Sequence, residues 1–207
     1  LSLLGWTPKE LGEVFTKEAA AERFELSQVH RSNARFDMKK LEHFHFEHAR
    51  KLDSARYTAL GVEALAKAGI ETSAFPAAYV RAALATTQEK GKLFRDLPPW
   101  ADFYFVADDA VPFDAEARAK ALTPAAAPLL ARLSAAYAAL PEFTSAALET
   151  ALKALATELG VKAGALVQPC RVACTGRLVG PSLYHLMEVL GRERVVARLQ
   201  KAVPTPA

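Results

Sequence analysis

The sequence predicts an all-α protein built from two or three small helical bundles in a row. Three observations carry this prediction: apolar residues recur at three- and four-residue spacing, helix caps and glycine stops bracket those stretches, and alanine-rich segments raise helix propensity. No stretch shows the alternation of a strand, and no segment repeats at a fixed period. The leucine stripes are therefore expected to be buried by packing of helix on helix.

Each expected helix of the first half has a recognisable start. A capping box with proline at its first helical position begins the first one, Thr16 and Asp37 cap the next two, and Gly69 is a natural stop for the fourth. The expected helices are 7–15, 16–24, 37–48, 57–68 and 76–87. A proline break at 97–100 and a short aromatic piece at 102–105 follow.

The second half repeats this pattern after a polar, proline-containing loop at 106–116. Thr123-Pro124 and Thr144 are helix starts, Gly160 and Gly176 are helix stops, and Pro181 stands at the first turn of another helix. The expected helices are 123–140, 144–159, 167–175, 181–190 and 192–198.

Charge is distributed unevenly along the chain. The formal net charge is +3, yet 162–201 carries seven basic and two acidic residues and is +5, so the remainder sums to −2. A basic C-terminal quarter is typical of a surface that faces a polyanion, although a solvated helix face explains the same charges. No apolar stretch approaches the length of a membrane span, and the start lacks both a Met and the basic flank of a signal peptide. We expect a fragment of a longer, cytoplasmic protein.

Arg171 lies within the otherwise apolar run 167–175 and is the residue that most constrains function. A guanidinium among apolar neighbours is costly unless a carboxylate of the fold or a ligand meets it. A helix end, a glycine break and a proline-started helix follow, and such ends expose backbone N–H and C=O groups. These groups and the guanidinium together are suited to reading unstacked bases, as in recognition of single-stranded RNA.

Catalysis has little support in the residues. His43, His45 and His48 lack a completing ligand at standard spacing, and Cys170 and Cys174 are better explained as small buried apolar residues than as metal ligands. The pair Asp108-Asp109 is expected to be solvated, and no Gly-x-Ser-x-Gly elbow or phosphate-binding glycine loop occurs. The sequence thus predicts no catalytic residues, no metal site and no cofactor in this chain.

Several motifs together resemble bacterial glutamyl-tRNA synthetases. QPCRVACTG at 168–176, GPSLY at 180–184 and LGRERV at 190–195 resemble the family's C-terminal signature. LLGW at 3–6 resembles the segment after its Lys-Met-Ser-Lys-Ser loop, and FDMKKL at 36–41 fits its Phe-Asp-x-x-Lys-Leu element. The resemblance therefore runs in patches over the whole chain.

The resemblance implies an organisation into a stem-contact helical region at 1–58, a first anticodon-binding helical domain at 59–118 and a second at 119–207. The family's Trp-Leu-Asn and His-Tyr-Ile-Arg elements are replaced after Leu41, and of them only Arg50 matches well. The family's catalytic domain is expected to lie outside this chain. The fragment alone is therefore expected to be inactive, with ATP and magnesium belonging to the parent enzyme.

The resemblance also implies site residues. In that family, the arginine of the Gln-Pro-x-Arg motif and the residues around the glycine break approach anticodon bases. A residue of the first anticodon domain reads the last anticodon base, and the sequence does not identify which residue this is. The implied anticodon-binding residues are Arg171, Thr175, Gly180, Pro181, Leu183, Lys90, Lys92 and Arg95. The implied contacts to the tRNA backbone are Arg50, Arg177, Arg192 and Arg194.

The function implied is anticodon recognition within a ligase that joins glutamate to its tRNA using ATP, by a monomer that binds neither DNA nor membranes. A helical protein-interaction scaffold with a basic tail is the alternative, because alanine and leucine stripes would serve it equally well. A DNA-binding regulator is disfavoured, since no helix-turn-helix presents a dense basic recognition helix. Whether the ligase accepts the glutamine tRNA as well stays open.

Overall fold

The architecture is all-α, in a computed structural model that describes residues 2–8, 10, 12–30 and 36–202. Eleven α-helices and four short 3-10 turns occur in these ranges, and no strand is present among them. The predicted fold class is confirmed. Contacts divide the chain into two compact units, Leu1–Leu52 and Asp53–Ala207.

The N-terminal unit contains two α-helices, α1 at Lys17–Arg23 and α2 at Met38–Arg50. Both begin where the sequence predicts them. The side chains of Thr16 and Asp37 accept hydrogen bonds from first-turn amides at 3.1 and 2.9 Å. Each cap satisfies N–H groups that a helix leaves without an internal partner.

The helix predicted at 7–15 is wrong for the residues described there, which form turns and irregular backbone; Lys9 and Leu11 lie outside the described residues. Trp6 supplies the physical reason. Its side chain is buried, and its ring contacts the Phe15 ring edge-on with the centroids 6.2 Å apart. The chain here folds around an aromatic contact, which outweighs the local capping signal.

Large apolar side chains are unusually exposed in the N-terminal unit. Its exposed members are Phe24, Leu26, Val29, Phe36, Met38 and Leu41. Among its described residues, the buried apolar ones are Trp6, Pro8 and Ala49. This unit therefore encloses only a small core of its own.

The second unit begins with α3 at Ser54–Lys67 and α4 at Ala77–Ala85. Asp53 caps α3 at 2.9 Å, which is why the helix begins before the predicted start. The two helices approach closely where Gly61 faces Leu84, since a Cβ on that glycine would lie 2.9 Å from the leucine side chain. This pair of helices forms the first part of the core.

The predicted break at 97–100 is itself a short helix, α5 at Pro98–Ala101, because proline is tolerated in a first helical turn. A 3-10 turn at Asp102–Tyr104 follows and buries its aromatic rings. The loop after it ends earlier than expected. Asp114 caps α6 at Ala115–Ala121, a two-turn helix that the sequence analysis missed because it carries no long apolar stripe.

Two longer helices come next, α7 at Ala127–Ala138 and α8 at Ser145–Glu158. α7 begins later than predicted, because a turn occupies the residues before it. α8 agrees with the prediction at both ends: Thr144 caps it, and Gly160 follows it with a φ of 67°. Its leucines form the expected buried stripe.

The last three helices are α9 at Gly164–Thr175, α10 at Leu183–Leu190 and α11 at Arg192–Ala202. α9 lies in the middle of the unit and contacts five other helices: α6, α7, α8, α10 and α11. α10 also packs against α4. Pro181 precedes α10 rather than standing in its first turn as predicted, because Ser182 is the residue before the helix.

The domain limits implied by the resemblance stay predictions. The expected limit after residue 58 falls inside α3, and the contact boundary lies between Leu52 and Asp53. The expected limit after residue 118 falls inside α6, which packs against α9.

Candidate nucleic-acid interface

Arg171 lies one turn before the end of α9, on a helix whose other side chains are mostly buried. Its Nη1 donates a hydrogen bond to the Pro181 carbonyl oxygen at 2.7 Å. Within the described ranges no carboxylate forms an ion pair with it. The sequence left open two kinds of partner for this guanidinium, a carboxylate of the fold or a ligand. Among the described residues, no carboxylate fills that role.

Burial lowers the pKa of the Arg171 guanidinium from its usual value, because removing a charge from water disfavours the charged form. The guanidinium is half-buried and still carries its charge, since arginine deprotonates only at very high pH. A carbonyl oxygen satisfies one N–H without neutralising the charge. The site thus retains both positive charge and further donors for an acceptor from outside the protein.

The α9–α10 junction, residues 176–182, faces this guanidinium. Thr175 begins the turn into it: its Oγ1 donates to the Arg171 carbonyl at 2.8 Å and accepts from the Arg177 amide at 3.2 Å. A Cβ at Gly180 would lie 3.4 Å from Arg171 Nη1, so the glycine lets the guanidinium reach the backbone. Four of the residues implied as anticodon-binding are thus brought together here: Arg171, Thr175, Gly180 and Pro181.

Two of the residues implied as base contacts are buried. Pro181 and Leu183 pack into the protein, and the Pro181 carbonyl oxygen already accepts the hydrogen bond from Arg171. Val179 behaves differently: its side chain is 70% exposed. Val179 is not among the residues predicted from sequence, although an apolar residue next to a glycine in a loop is a signal that could have identified it.

Arg177 is held by a carboxylate. Its Nη1 and Nη2 donate to the two Asp102 carboxylate oxygens at 2.7 and 2.6 Å, and both side chains are mostly buried. This fork-to-fork geometry fixes distance and direction. The predicted contact of Arg177 to the tRNA backbone stays a prediction, with an internal partner already present.

Arg194 and Arg198 share one carboxylate, that of Asp108, at 3.0 and 2.8 Å from their Nε atoms. We call these three residues the Asp108 cluster. Burial acts to raise the pKa of Asp108, but the hydrogen bonds and charges of the two arginines outweigh it, so its pKa lies below the usual value. The expectation that Asp108 is a solvated carboxylate is therefore wrong.

The two arginines of the Asp108 cluster also satisfy backbone carbonyls. Arg194 donates to the carbonyls of Tyr104 and Val106 at 2.8 and 2.6 Å, and to the Tyr79 hydroxyl. Arg198 donates to the carbonyls of Cys174 and Phe103.

The basic residues of α11 are accordingly not all available to phosphates. Arg198 is 2% exposed, so this basic residue of 162–201 does not belong to a solvated helix face. Its position has a sequence signal: Val195, Arg198 and Leu199 share one helical face, and the two apolar members are fully buried. Arg194 stays a predicted backbone contact.

Arg192 lies at the start of α11 and is half-buried. Its guanidinium donates to the carbonyls of Ala138 and Pro141 at 3.3 and 3.4 Å and lies over the Phe143 ring at 5.7 Å. These contacts are long and leave the charge without a carboxylate, which suits a phosphate contact better than the setting of Arg194 does.

Lys90, Lys92 and Arg95 lie in the turns after α4. Arg95 forms a solvent-exposed ion pair with Asp96, with Nε and Oδ1 3.6 Å apart, and such a pair contributes little stability. Because α4 packs against α10, these cations belong to the same unit as the α9–α10 junction.

Arg50 belongs to the N-terminal unit, where it ends α2. It pairs with Glu47 at 3.4 Å and lies over the Phe46 ring at 5.5 Å.

The side chains considered for metal binding have other surroundings. Cys170 and Cys174 are fully buried, and Cys170 Sγ lies 3.4 Å from Met187 Sδ, which confirms their interpretation as small buried residues. The neighbouring Cys174 thiol and burial raise the pKa of Cys170, so it is held as an inert thiol. Among the described residues, no group of three or more His, Cys, Asp or Glu side chains is placed to hold a metal ion.

None of the helices in the described ranges is both long enough and apolar enough for a bilayer crossing.

A family model described as "Anticodon binding domain" matches residues 46–203, most of the chain. The chain belongs to the anticodon-binding domain family. The junction and its arginines lie inside the matched part of the chain, as do the cations after α4.

Similar proteins agree with this membership. The glutamate–tRNA ligase of Moorella thermoacetica is 34% identical over 206 residues, covering 98% of this chain and 42% of that ligase. The glutamate–tRNA ligase of Saccharopolyspora erythraea is 39% identical over 204 residues, covering 97% and 40%. The chain thus spans about two fifths of the length of these ligases, and the predicted resemblance to bacterial glutamyl-tRNA synthetases is confirmed.

A solved structure supports the same relation. The crystal structure of a glutamate tRNA ligase from Elizabethkingia meningosepticum in complex with its amino acid superposes with a TM-score of 0.83 at 26% identity. The superposition covers 98% of this chain and 39% of the other. The helical architecture described above is therefore that of a part of such a ligase.

Proposed function

We propose that this chain is the tRNA-binding part of a glutamate–tRNA ligase and recognises the anticodon of a glutamate-accepting tRNA. One observation carries the proposal: Arg171 is half-buried, retains its charge, and has a carbonyl rather than a carboxylate as its partner. Such a group gains most from an external acceptor that reaches it at the α9–α10 junction. Family membership and the names of the similar ligases indicate that this acceptor is an anticodon base.

Base recognition is assigned to the junction. The free donors of the Arg171 guanidinium hydrogen-bond to a base edge, and the backbone at Gly180 and Pro181 lines the same place. Thr175 and Leu183 hold this backbone from either side. The exposed Val179 side chain offers an apolar contact to the face of an unstacked base.

Phosphate binding is assigned to the cations that have solvent access. Lys90, Lys92 and Arg95 approach the anticodon arm from the turns after α4, and one of them reads a base. Arg192 and Arg50 contact the tRNA backbone. Such contacts bind through charge and position the RNA without reading its sequence.

Arg177 and Arg194 differ from these cations, because carboxylates already hold them. Their charge still contributes to the potential of the surface. We assign any phosphate contact they make to donors that their internal partners leave free, and their main effect to holding the junction.

The ligase reaction itself is assigned to a part of the enzyme outside this chain, so the chain alone is inactive. ATP and magnesium are assigned to that part as well. The protein is proposed to act as a cytoplasmic monomer. Discrimination between glutamate and glutamine tRNAs is decided at the anticodon.

The test is binding of the 207-residue chain to a glutamate tRNA transcript over a range of salt concentrations. We expect affinity to fall steeply from low to moderate salt, since several phosphates exchange counterions for Lys and Arg. A transcript with one changed anticodon base should bind roughly tenfold more weakly. Equal affinity for both transcripts would contradict anticodon recognition. No affinity at any salt concentration would favour a helical protein-interaction scaffold.

A further inference from the structure

The α9–α10 junction is attached to the segment 102–114, which comes from the region predicted to be a separate domain. The Asp114 amide donates to the Gly176 carbonyl at 2.9 Å. A Cβ at Gly176 would lie only 2.2 Å from the Pro112 carbonyl oxygen, so the two backbones are in direct contact. The position of the junction thus depends on this segment.

Asp102 makes the most direct side-chain attachment. It binds the Arg177 guanidinium through two bonds, and the same guanidinium donates to the Thr175 carbonyl at 3.4 Å. Because Arg177 is a junction residue, the carboxylate of Asp102 fixes one side of the junction.

The attachment continues to Arg171. Thr175 Oγ1 joins the Arg177 amide to the Arg171 carbonyl, and the Arg171 side chain closes a ring by donating to the Pro181 carbonyl. These hydrogen bonds, together with the covalent frames of Arg177 and Arg171, therefore connect Asp102 to the residue whose guanidinium is proposed to read a base.

An ion pair of this kind contributes more to a fixed geometry than to the free energy of folding. Buried ion pairs often contribute little net free energy of folding, because desolvation offsets the attraction. A bidentate carboxylate–guanidinium pair nevertheless restricts both distance and orientation. A purely stabilising contact at this place would be served equally well by apolar side chains.

We propose that Asp102 is a positioning residue for base recognition, which acts through Arg177 and Thr175 to orient the Arg171 guanidinium. This inference rests on the proposed function, because it names what holds that same site. Asp102 does not touch the RNA. It determines how sharply one base is preferred over another, rather than how strongly the protein binds phosphates.

The experiment compares the 207-residue chain with its Asp102→Asn variant. The first measurement is the affinity ratio between a cognate anticodon stem-loop and one with a single changed base, which should fall roughly tenfold. The second is the NMR order of the Arg171 Nε–Hε group in the free protein, which should decrease. Thermal melting should confirm that the variant is folded at the temperature of both measurements.

A matched control removes another carboxylate from the same unit. Glu158→Gln breaks the exposed Arg132–Glu158 pair, which joins α7 and α8 and forms no hydrogen bond with a junction residue in the described part of the chain, with the same change in net charge. It should leave both the affinity ratio and the order of Arg171 unchanged. A second variant, Arg177→Lys, keeps the positive charge but loses the fork, so it should lower the ratio in the same direction as Asp102→Asn.

Three outcomes would overturn the proposal. The first is a folded Asp102→Asn protein with an unchanged ratio and an equally ordered Arg171. The second is a loss of discrimination that Glu158→Gln reproduces, and the third is unfolding of both Asp102→Asn and Arg177→Lys, which would make the pair structural. If the unaltered chain itself does not discriminate, the proposed function fails, and the order of Arg171 still decides the positioning role.

Discussion

A single guanidinium illustrates how a costly side chain marks a site. Arg171 is half-buried on a helix that otherwise packs into the core, and among the described residues its guanidinium is hydrogen-bonded to one carbonyl and to no carboxylate. Arg198 is buried far more completely but is bonded to a carboxylate and two carbonyls. The contrast separates a group held for structure from one left ready to bind, since an unneutralised charge gains most from an outside partner.

At this scale we predict that Arg171→Ala weakens binding of cognate tRNA by roughly tenfold or more, the range expected for loss of a base contact. The melting temperature should change little, because the lost partner is one carbonyl at a loop. Filter binding and thermal melting measure the two effects. Arg132→Ala removes an exposed arginine of α7 and serves as the control for loss of charge. A collapsed melting temperature in Arg171→Ala would instead make Arg171 structural.

The importance of Arg171 could be predicted from sequence because its helical neighbours are apolar and close along the chain. The partners of Asp108 could not, since its arginines lie at 194 and 198, far away in sequence. A carboxylate in a polar loop looks solvated until the fold brings those cations to it. Local patterns thus predict burial of a residue better than they predict its partner.

The bounds of a helix could be predicted where its ends carry a capping side chain or a glycine stop. Helices with a capping side chain and a glycine stop, such as α8, were predicted at both ends. The helix expected at 7–15 had a capping signal, but the Trp6–Phe15 contact determines the backbone there. α6 was missed because two turns of alanine and charged residues carry no periodic apolar signal.

The end of α9 gives a prediction about stability. Gly176 has a φ of 75° and meets the Pro112 carbonyl, whereas Gly160 has a φ of 67° and a Cβ added to it would meet nothing within 4 Å. Gly160→Ala should therefore cost about 1–2 kcal/mol for the left-handed backbone alone. Gly176→Ala should cost clearly more, because its methyl group also displaces the 102–114 segment. Thermal or urea unfolding compares the two, and equal losses would mean that the close approach is relieved without cost.

Across the whole molecule, burial is unevenly shared between the two units. The second unit, Asp53–Ala207, contains nearly all buried apolar side chains among the described residues, while the exposed large ones concentrate in Leu1–Leu52. The Asp108 cluster joins α11, the end of α9 and the aromatic turn before α6 into the second unit. This arrangement makes one carboxylate important for the stability of the whole unit.

The acid stability of that unit should depend on Asp108. Its pKa is lower in the folded chain than in the unfolded chain, so its stabilising effect is complete above the unfolded value and is lost as pH falls through the folded value. The difference in free energy of unfolding between the natural chain and Asp108→Asn should stay constant above about pH 5 and shrink below about pH 4. Urea unfolding at several pH values measures this difference. A gap that is independent of pH down to strong acid would contradict the role given to the carboxylate.

The partial burial of the Asp108 cluster has a consequence for purification of the protein. Mobile ions screen charges that face water, and at about 1 M salt the screening distance shrinks to roughly 3 Å. Contacts between surface lysines and a polyanion are lost under such conditions, whereas the partly buried pairs of the Asp108 cluster are screened much less. A concentrated sodium chloride wash during purification should therefore strip co-purifying nucleic acid from this chain and still recover it in its native form.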